Sequence, residues 1–135
     1  TSAPAFSLPD LNGESVSLGS FLGAPTLLLF WNPDCGFCKK MLPDLQAWEA
    51  SPPQGAPRLL IISSGTGEKN RAMGLRSPVL LSEDGDVSRL FGANGTPLAI
   101  VVDAQGRVAS ALVEGAPDVL ALAGSVKDVA PSLRT

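Results

Sequence analysis

The most constraining stretch of the chain is Leu27–Pro43, Leu-Leu-Leu-Phe-Trp-Asn-Pro-Asp-Cys-Gly-Phe-Cys-Lys-Lys-Met-Leu-Pro. An apolar run of strand length meets a turn at Asn32-Pro33-Asp34. Two cysteines follow with two residues between them, and a helical pattern begins. At the start of a helix, Cys35 and Cys38 face the same way, because positions i and i+3 are neighbours on one surface. The backbone N–H groups of a first helical turn have no intrahelical partner and carry partial positive charge. A thiol placed there ionises more easily, and the thiolate is the attacking species. Two thiols this close can also close into a disulfide with each other. Strand, Cys-x-x-Cys, helix is the order of a redox site.

Other uses of the two cysteines fare worse. A disulfide closing so short a ring removes little unfolded-state entropy, so a purely stabilising role is weak. These are the only 2 Cys, and there is no His. A structural metal site therefore lacks its remaining ligands, and Ser-His and Cys-His catalysis are excluded. The absence of His also leaves no side chain with an unperturbed pKa near neutrality. Acid–base work must come from a thiol, a shifted carboxylate or a lysine.

The 135 residues suffice for one domain, 1–135, with a real core. A net charge of −3 without any basic block gives no reason to expect nucleic acid or an anionic membrane as partner. No run reaches the roughly 18 apolar residues of a membrane span. Thr1-Ser2-Ala3-Pro4 reads as the start of a mature or excised domain, with no signal peptide.

Along the chain, Phe6, Leu8, Val16 and Leu18 alternate with polar residues around Asn12-Gly13, which predicts an N-terminal β-hairpin. A turn at Gly19–Gly23 leads to a strand over Thr26–Trp31 that is apolar on both faces, as suits a strand covered on both sides. A helix follows over Cys35–Ala50, with Phe37, Met41, Leu45 and Trp48 as its apolar stripe and a kink expected at Pro43. Arg58–Ser64 is a second buried strand, and strand–helix–strand implies a right-handed parallel crossover. A short helix from Glu68 or Lys69 precedes a short strand at Pro78–Leu81. Asp86 is the expected N-cap of a helix over Val87–Phe91. Leu98–Asp103 is a third core strand, joined through Asp103–Gly106 to an antiparallel strand over Arg107–Val113. Pro117 opens a last helix, through about Val129, with Val119, Leu120, Leu122, Ala123 and Val126 as its stripe.

Taken together, these features resemble the thioredoxin superfamily. The matching residues are Phe30-Trp31 before Cys35-Gly36-x-Cys38-Lys39, Pro43 five residues after the second Cys, and Thr96-Pro97 opening a late strand. The Phe6–Gly13 hairpin and the extra helix–strand between Gly65 and Leu81 resemble the TlpA/ResA-like extracytoplasmic branch. The resemblance implies an α/β thioredoxin-like fold, a mixed β-sheet flanked by helices on both faces. It implies that Cys35 attacks, Cys38 resolves, and a cis Thr96–Pro97 bond lies against the cysteines. Thr96, Pro97, Gly36 and Phe37, with Trp31 beneath them, frame the implied substrate-binding surface. Three positions depart from the pattern: Asp34 replaces a common Trp, Phe37 a common Pro, and Leu29 a buried strand acid of cytosolic thioredoxins.

The implied activity is thiol–disulfide exchange, reducing protein disulfides outside the cytoplasm without a cofactor. The implied partners are protein disulfide or dithiol substrates and a membrane or soluble thiol reductant. The chain is expected to act as a monomer, membrane-tethered in a longer protein or free. The alternatives are a dithiol oxidant or isomerase of the same fold, a redox-inactive protein-binding module, and a peroxide-reducing redoxin. The last needs a Pro-x-x-x-Thr/Ser-x-x-Cys loop, and here Leu28 and Asn32 stand in its Pro and Thr/Ser places.

The helix start predicts that Cys35 is the exposed, low-pKa thiol and Cys38 the buried one. Asp34 has two readings, a charge that opposes the Cys35 thiolate or a solvated turn residue, with Lys39 and Lys40 as cations able to offset it. Glu68 also has two. By resemblance it is a partly buried carboxylate that exchanges a proton with Cys38; otherwise it is a solvated helix N-terminal residue. Gly65-Thr66-Gly67 lacks the third glycine of a dinucleotide loop and is expected to do no phosphate chemistry.

Overall fold

In the computed structural model, which describes residues 1–21 and 23–124, the N-terminal hairpin pairs β1 (Ser7–Pro9) with β2 (Ser15–Ser17). The Asp10 carboxylate closes its turn by accepting from the N–H groups of Asn12 and Glu14 at 2.8 and 3.0 Å. Gly13 takes the positive φ of +83° that this turn requires. A 3-10 turn over Leu18–Phe21 then leads to β3 (Thr26–Trp31), whose six residues are all buried.

The elements that follow are α1 (Gly36–Ala50), β4 (Arg58–Ser63), α2 (Gly67–Ala72), β5 (Val79–Leu81), α3 (Asp86–Leu90), β6 (Leu98–Val102), β7 (Val113–Glu114) and α4 (Ala116–Leu122). They build a five-stranded mixed sheet in the order β5-β4-β3-β6-β7. β4 runs parallel to β3 and to β5, whereas β6 is antiparallel to both β3 and β7. This is the mixed α/β architecture that the sequence implied.

Alternation along β3 explains the two cores. Leu27, Leu29 and Trp31 join Met41, Leu45 and Trp48 of α1 and Val119 and Ala123 of the α4 end on one face. Leu28 and Phe30 join Phe6, Leu18, Val87 and Ala93 on the other. Burying each such side chain contributes roughly 1.5–3 kcal/mol, which makes the register of β3 hard to shift. Trp48 satisfies its indole N–H on the Ala123 carbonyl at 3.0 Å.

Several local expectations change. Phe37 is 71% exposed, and Cys38 takes its place in the buried stripe of α1. Both residues fit a three-to-four spacing with Met41, so the pattern alone did not distinguish them. Asp86 is the first residue of α3, and Gly85 occupies the N-cap position. The antiparallel strand expected over Arg107–Val113 pairs continuously only at Val113–Glu114, with bridges at Arg107 and Val108. The Ser110 hydroxyl accepts the Val101 N–H at 2.9 Å and so replaces a backbone partner in the ladder. α1 is continuous across Pro43. The predicted continuation of the last helix to Val129, with Val126 in its stripe, lies outside the described residues.

Candidate active site

The end of β3 and the start of α1 are joined by a turn that Asn32 organises. The Asn32 carbonyl accepts from the Cys35 N–H at 3.0 Å, and its side-chain oxygen accepts from the Asp34 N–H at 2.9 Å. Cys35 thereby becomes the N-cap of α1, with extended backbone at φ −77° and ψ 128°. Its carbonyl accepts the first helical hydrogen bond, from Lys39 at 3.0 Å. Cys38, one turn on, points into the core beside Leu29, Trp31 and Met41.

The two thiols are therefore unlike. Cys35 is half-buried and Cys38 fully buried. Partial burial works to raise the Cys35 pKa, but hydrogen bonding from the Thr96 side chain and the backbone N–H groups of Cys38 and Phe37 outweighs it and holds the thiol below its ordinary range. As a thiol, Cys35 donates to the Thr96 carbonyl at 3.4 Å. Burial pushes the Cys38 thiol up to about 12, against smaller opposing contributions from the Asn32 backbone and Thr96; the neighbouring Cys35 charge adds to the rise.

The Thr96–Pro97 bond is cis, and the Thr96 carbonyl lies against the Cys35 sulfur as expected. Pro97, Thr96 and the exposed Phe37 border an open groove of about 300 Å³ with Leu98 and Glu114. On the other side of Thr96, a cleft of about 380 Å³ is lined by Asn32, Ser64, Ser88, Arg89, Ala93 and Asn94. Gly36 is exposed at the first helical position between the cysteines, with nothing near where a Cβ would stand.

Trp31 does not reach this surface. It is fully buried, and its indole N–H donates to the Met73 sulfur at 3.1 Å, so it supports the site from beneath. Glu68 is exposed in the first turn of α2, contrary to the partly buried placement the resemblance suggested. The helix geometry explains why: the residue of α2 that turns inward is Asn70, two positions on, whose amide donates to the Thr66 carbonyl at 2.7 Å.

Two residues of the site had been overlooked. Lys69 forms an ion pair with Asp34 at 2.8 Å, the place expected of Lys39 or Lys40. That hydrogen bond is the largest influence holding the Asp34 carboxyl below its usual range, with a smaller one from the Lys39 charge. Gly65 lies so close to Pro33 that a Cβ would fall 2.5 Å from the proline Cδ. Both follow from the parallel register, which pairs Trp31 with Ser63 and sends the loops after β3 and β4 out side by side.

A central mixed sheet, a Cys-x-x-Cys at the start of its first long helix and a cis-proline loop against the first sulfur define a thioredoxin-like protein. Residues 1–111 match the model of the AhpC/TSA family, and the chain belongs to that family. It is 33% identical over 110 residues to the methylamine utilization protein MauD of Paracoccus versutus, covering 77% of this chain and 53% of that protein. It is 28% identical over 114 residues to the thiol-disulfide oxidoreductase ResA of Bacillus subtilis, covering 78% and 62%. The chain thus spans about half the length of the MauD proteins it matches. Among solved structures, the thioredoxin domain of a thiol-disulfide oxidoreductase from Bacteroides vulgatus superposes with a TM-score of 0.71 at 27% identity, over 96% of this chain and 95% of that one. A DsbE-type thiol:disulfide interchange protein from Chlorobium tepidum gives 0.76 at 25%, over 94% of each. The thioredoxin-superfamily resemblance read from the sequence holds, and ResA is among the relatives.

Proposed function

We propose that this chain is a thiol–disulfide oxidoreductase that reduces disulfides of protein substrates outside the cytoplasm, with Cys35 as nucleophile and Cys38 as resolving thiol. The observation that carries the reading is the contrast between two thiols one helical turn apart, one half-buried at the N-cap of α1 against the cis-proline loop and one fully buried in the core. The Cys35 thiolate attacks a substrate disulfide. A Cys35–substrate disulfide forms, and the other substrate sulfur leaves as a thiolate and takes up a proton. Cys38 then loses its proton and attacks the Cys35 sulfur. The Cys35–Cys38 bond forms, and the second substrate sulfur leaves. The dithiol gives up two electrons, the substrate disulfide gains two, and an upstream thiol reductant restores the dithiol.

The resolving step does not need Glu68. Once Cys35 is bonded to substrate it carries no negative charge, so its contribution to the raised Cys38 pKa disappears. The Cys38 proton passes to the second substrate sulfur as that sulfur leaves, so proton transfer and bond exchange balance within one step. Thr96 and Pro97 flank the substrate segment on one side of Cys35, and Gly36 and the exposed Phe37 on the other. The ResA relatives and the DsbE-type neighbour support thiol–disulfide exchange, and the extracytoplasmic assignment follows the TlpA/ResA-like resemblance of the N-terminal hairpin and the inserted helix–strand. No helix among the described residues is long and apolar enough to cross a membrane.

The test is turnover of a disulfide-bonded protein such as insulin, with dithiothreitol as final reductant. Cys35→Ser should fall to the uncatalysed rate. Cys38→Ser should accumulate a mixed disulfide on Cys35, visible by non-reducing electrophoresis and mass spectrometry. Equal turnover in Cys35→Ser and the wild type would overturn the assignment. A couple potential near about −120 mV, rather than below about −200 mV, would favour the oxidant direction instead.

A further inference from the structure

We infer that Lys69 is a positioning residue for the reactive thiol: it holds the Asp34 carboxylate in an ion pair and so keeps that charge from opposing the Cys35 thiolate. The inference rests on the proposed role of Cys35 and adds a residue from outside the Cys-x-x-Cys segment to its control.

Asp34 immediately precedes the N-cap cysteine, so a free carboxylate there works against ionisation of the neighbouring sulfur. Its partner arrives from 35 residues away. Surface ion pairs between two loosely held side chains contribute little, but here both backbones are fixed. The Asp34 N–H is held by the Asn32 side chain at 2.9 Å, and the Lys69 N–H by the Thr66 hydroxyl at 3.2 Å. The two loops are pressed together where Gly65 meets Pro33, a contact that leaves no room for a Cβ. The Ser64 N–H also donates to the Trp31 carbonyl at 3.0 Å, tying the end of β4 to the end of β3. α2 is thus seated on the turn that presents Cys35, and Lys69 is the residue of its first turns that reaches Asp34.

Other charged groups also border the site, among them Arg89 of α3, which lines the cleft with Asn32 and Thr96. Lys39 of α1 acts on Asp34 more weakly than Lys69 does. Glu68 is exposed on α2, and Glu114 of β7 borders the groove with Phe37 and Thr96. Cys38 lies beneath. Removing the Lys69 charge leaves the Asp34 carboxylate with only Lys39 nearby to offset it, and the Cys35 pKa should rise.

The experiment is the pH profile of iodoacetamide alkylation at Cys35, read by peptide mass spectrometry on the reduced full chain at low ionic strength. Lys69→Gln and Lys69→Ala should raise the apparent Cys35 pKa by about half a unit, slowing alkylation below that pKa about threefold. Lys69→Arg should restore the wild-type profile. In an Asp34→Asn background, Lys69→Gln should shift the profile much less. At about 1 M ionic strength, where the screening length is about 3 Å, the wild-type and Lys69→Gln profiles should converge. Circular dichroism melts matched to wild type exclude a folding effect. Neutral Lys69 variants with the wild-type profile, an equal shift in the Asp34→Asn background, or failure of arginine to rescue would each overturn the role of Lys69. If the wild-type Cys35 itself shows no depressed pKa, the redox reading falls and this inference with it.

Discussion

Cys35 and Cys38 belong to one helical turn yet to two different regions of the molecule. Around Cys35 lies a polar rim, with Asp34 and Lys69 paired, Thr96 within hydrogen-bonding reach and Phe37 open to solvent. Around Cys38 lies a dry core of Leu29, Trp31, Met41 and Leu45. One region places polar and charged groups around its sulfur. The other excludes water and holds a proton in place. What differs is three residues of helix rotation, so the end of a central strand and a helix start suffice to give chemically identical side chains opposite behaviour.

The comparison breaks first in the core. Leu29→Ala removes a fully buried side chain from the Cys38 cluster and should cost about 2–5 kcal/mol of stability, measured by urea unfolding. Phe37→Ala on the rim should cost less than about 0.5 kcal/mol, because its ring is mostly exposed; its effect should appear instead as a raised KM for protein disulfides. Comparable destabilisation by the two substitutions would mean that the rim is part of the core.

The next effect is on alkaline stability. The folded Cys38 pKa, about 12, lies above its ordinary value of 9.0. The folded state therefore binds this proton more tightly than the unfolded chain. The resulting stability is fully present below about pH 9 and is lost as pH rises toward 12. Urea midpoints of the reduced protein should fall across that window more steeply than those of Cys38→Ala. Parallel slopes would show that Cys38 is not held protonated by the core.

The smallest effect belongs to Glu68. Its side chain is exposed, so Glu68→Gln should leave insulin turnover and the thiol titrations within experimental error of wild type. A slowed release of mixed disulfide in that variant would restore the carboxylate as a proton partner for Cys38.

The sequence carried the central strand clearly, because a run such as Leu27–Trp31, apolar at every position, suits a strand covered on both faces. The cysteine arrangement was equally legible, since the turn residues Asn32-Pro33-Asp34 stop the strand where the helix begins. Phe37 was misplaced because its spacing to Met41 is as good as that of Cys38, and spacing alone does not say which of the two faces the sheet. Lys69 and Gly65 were hidden for a different reason. Their partners, Asp34 and Pro33, are local to the cysteines in space but remote in sequence, and only the β3–β4 register joins them. The resemblance that pointed to Glu68 reached the turn of α2 that carries Lys69, while the choice of residue within that turn depended on side-chain direction.

The most direct measurement of the account is competitive alkylation of the reduced protein at pH 7 with limiting iodoacetamide, followed by peptide mass spectrometry. Cys35 should be labelled at least about tenfold faster than Cys38, as expected of a thiol held below its ordinary range beside one pushed to about 12. Labelling of Cys38 first, or of both at equal rates, would contradict the division of roles between them.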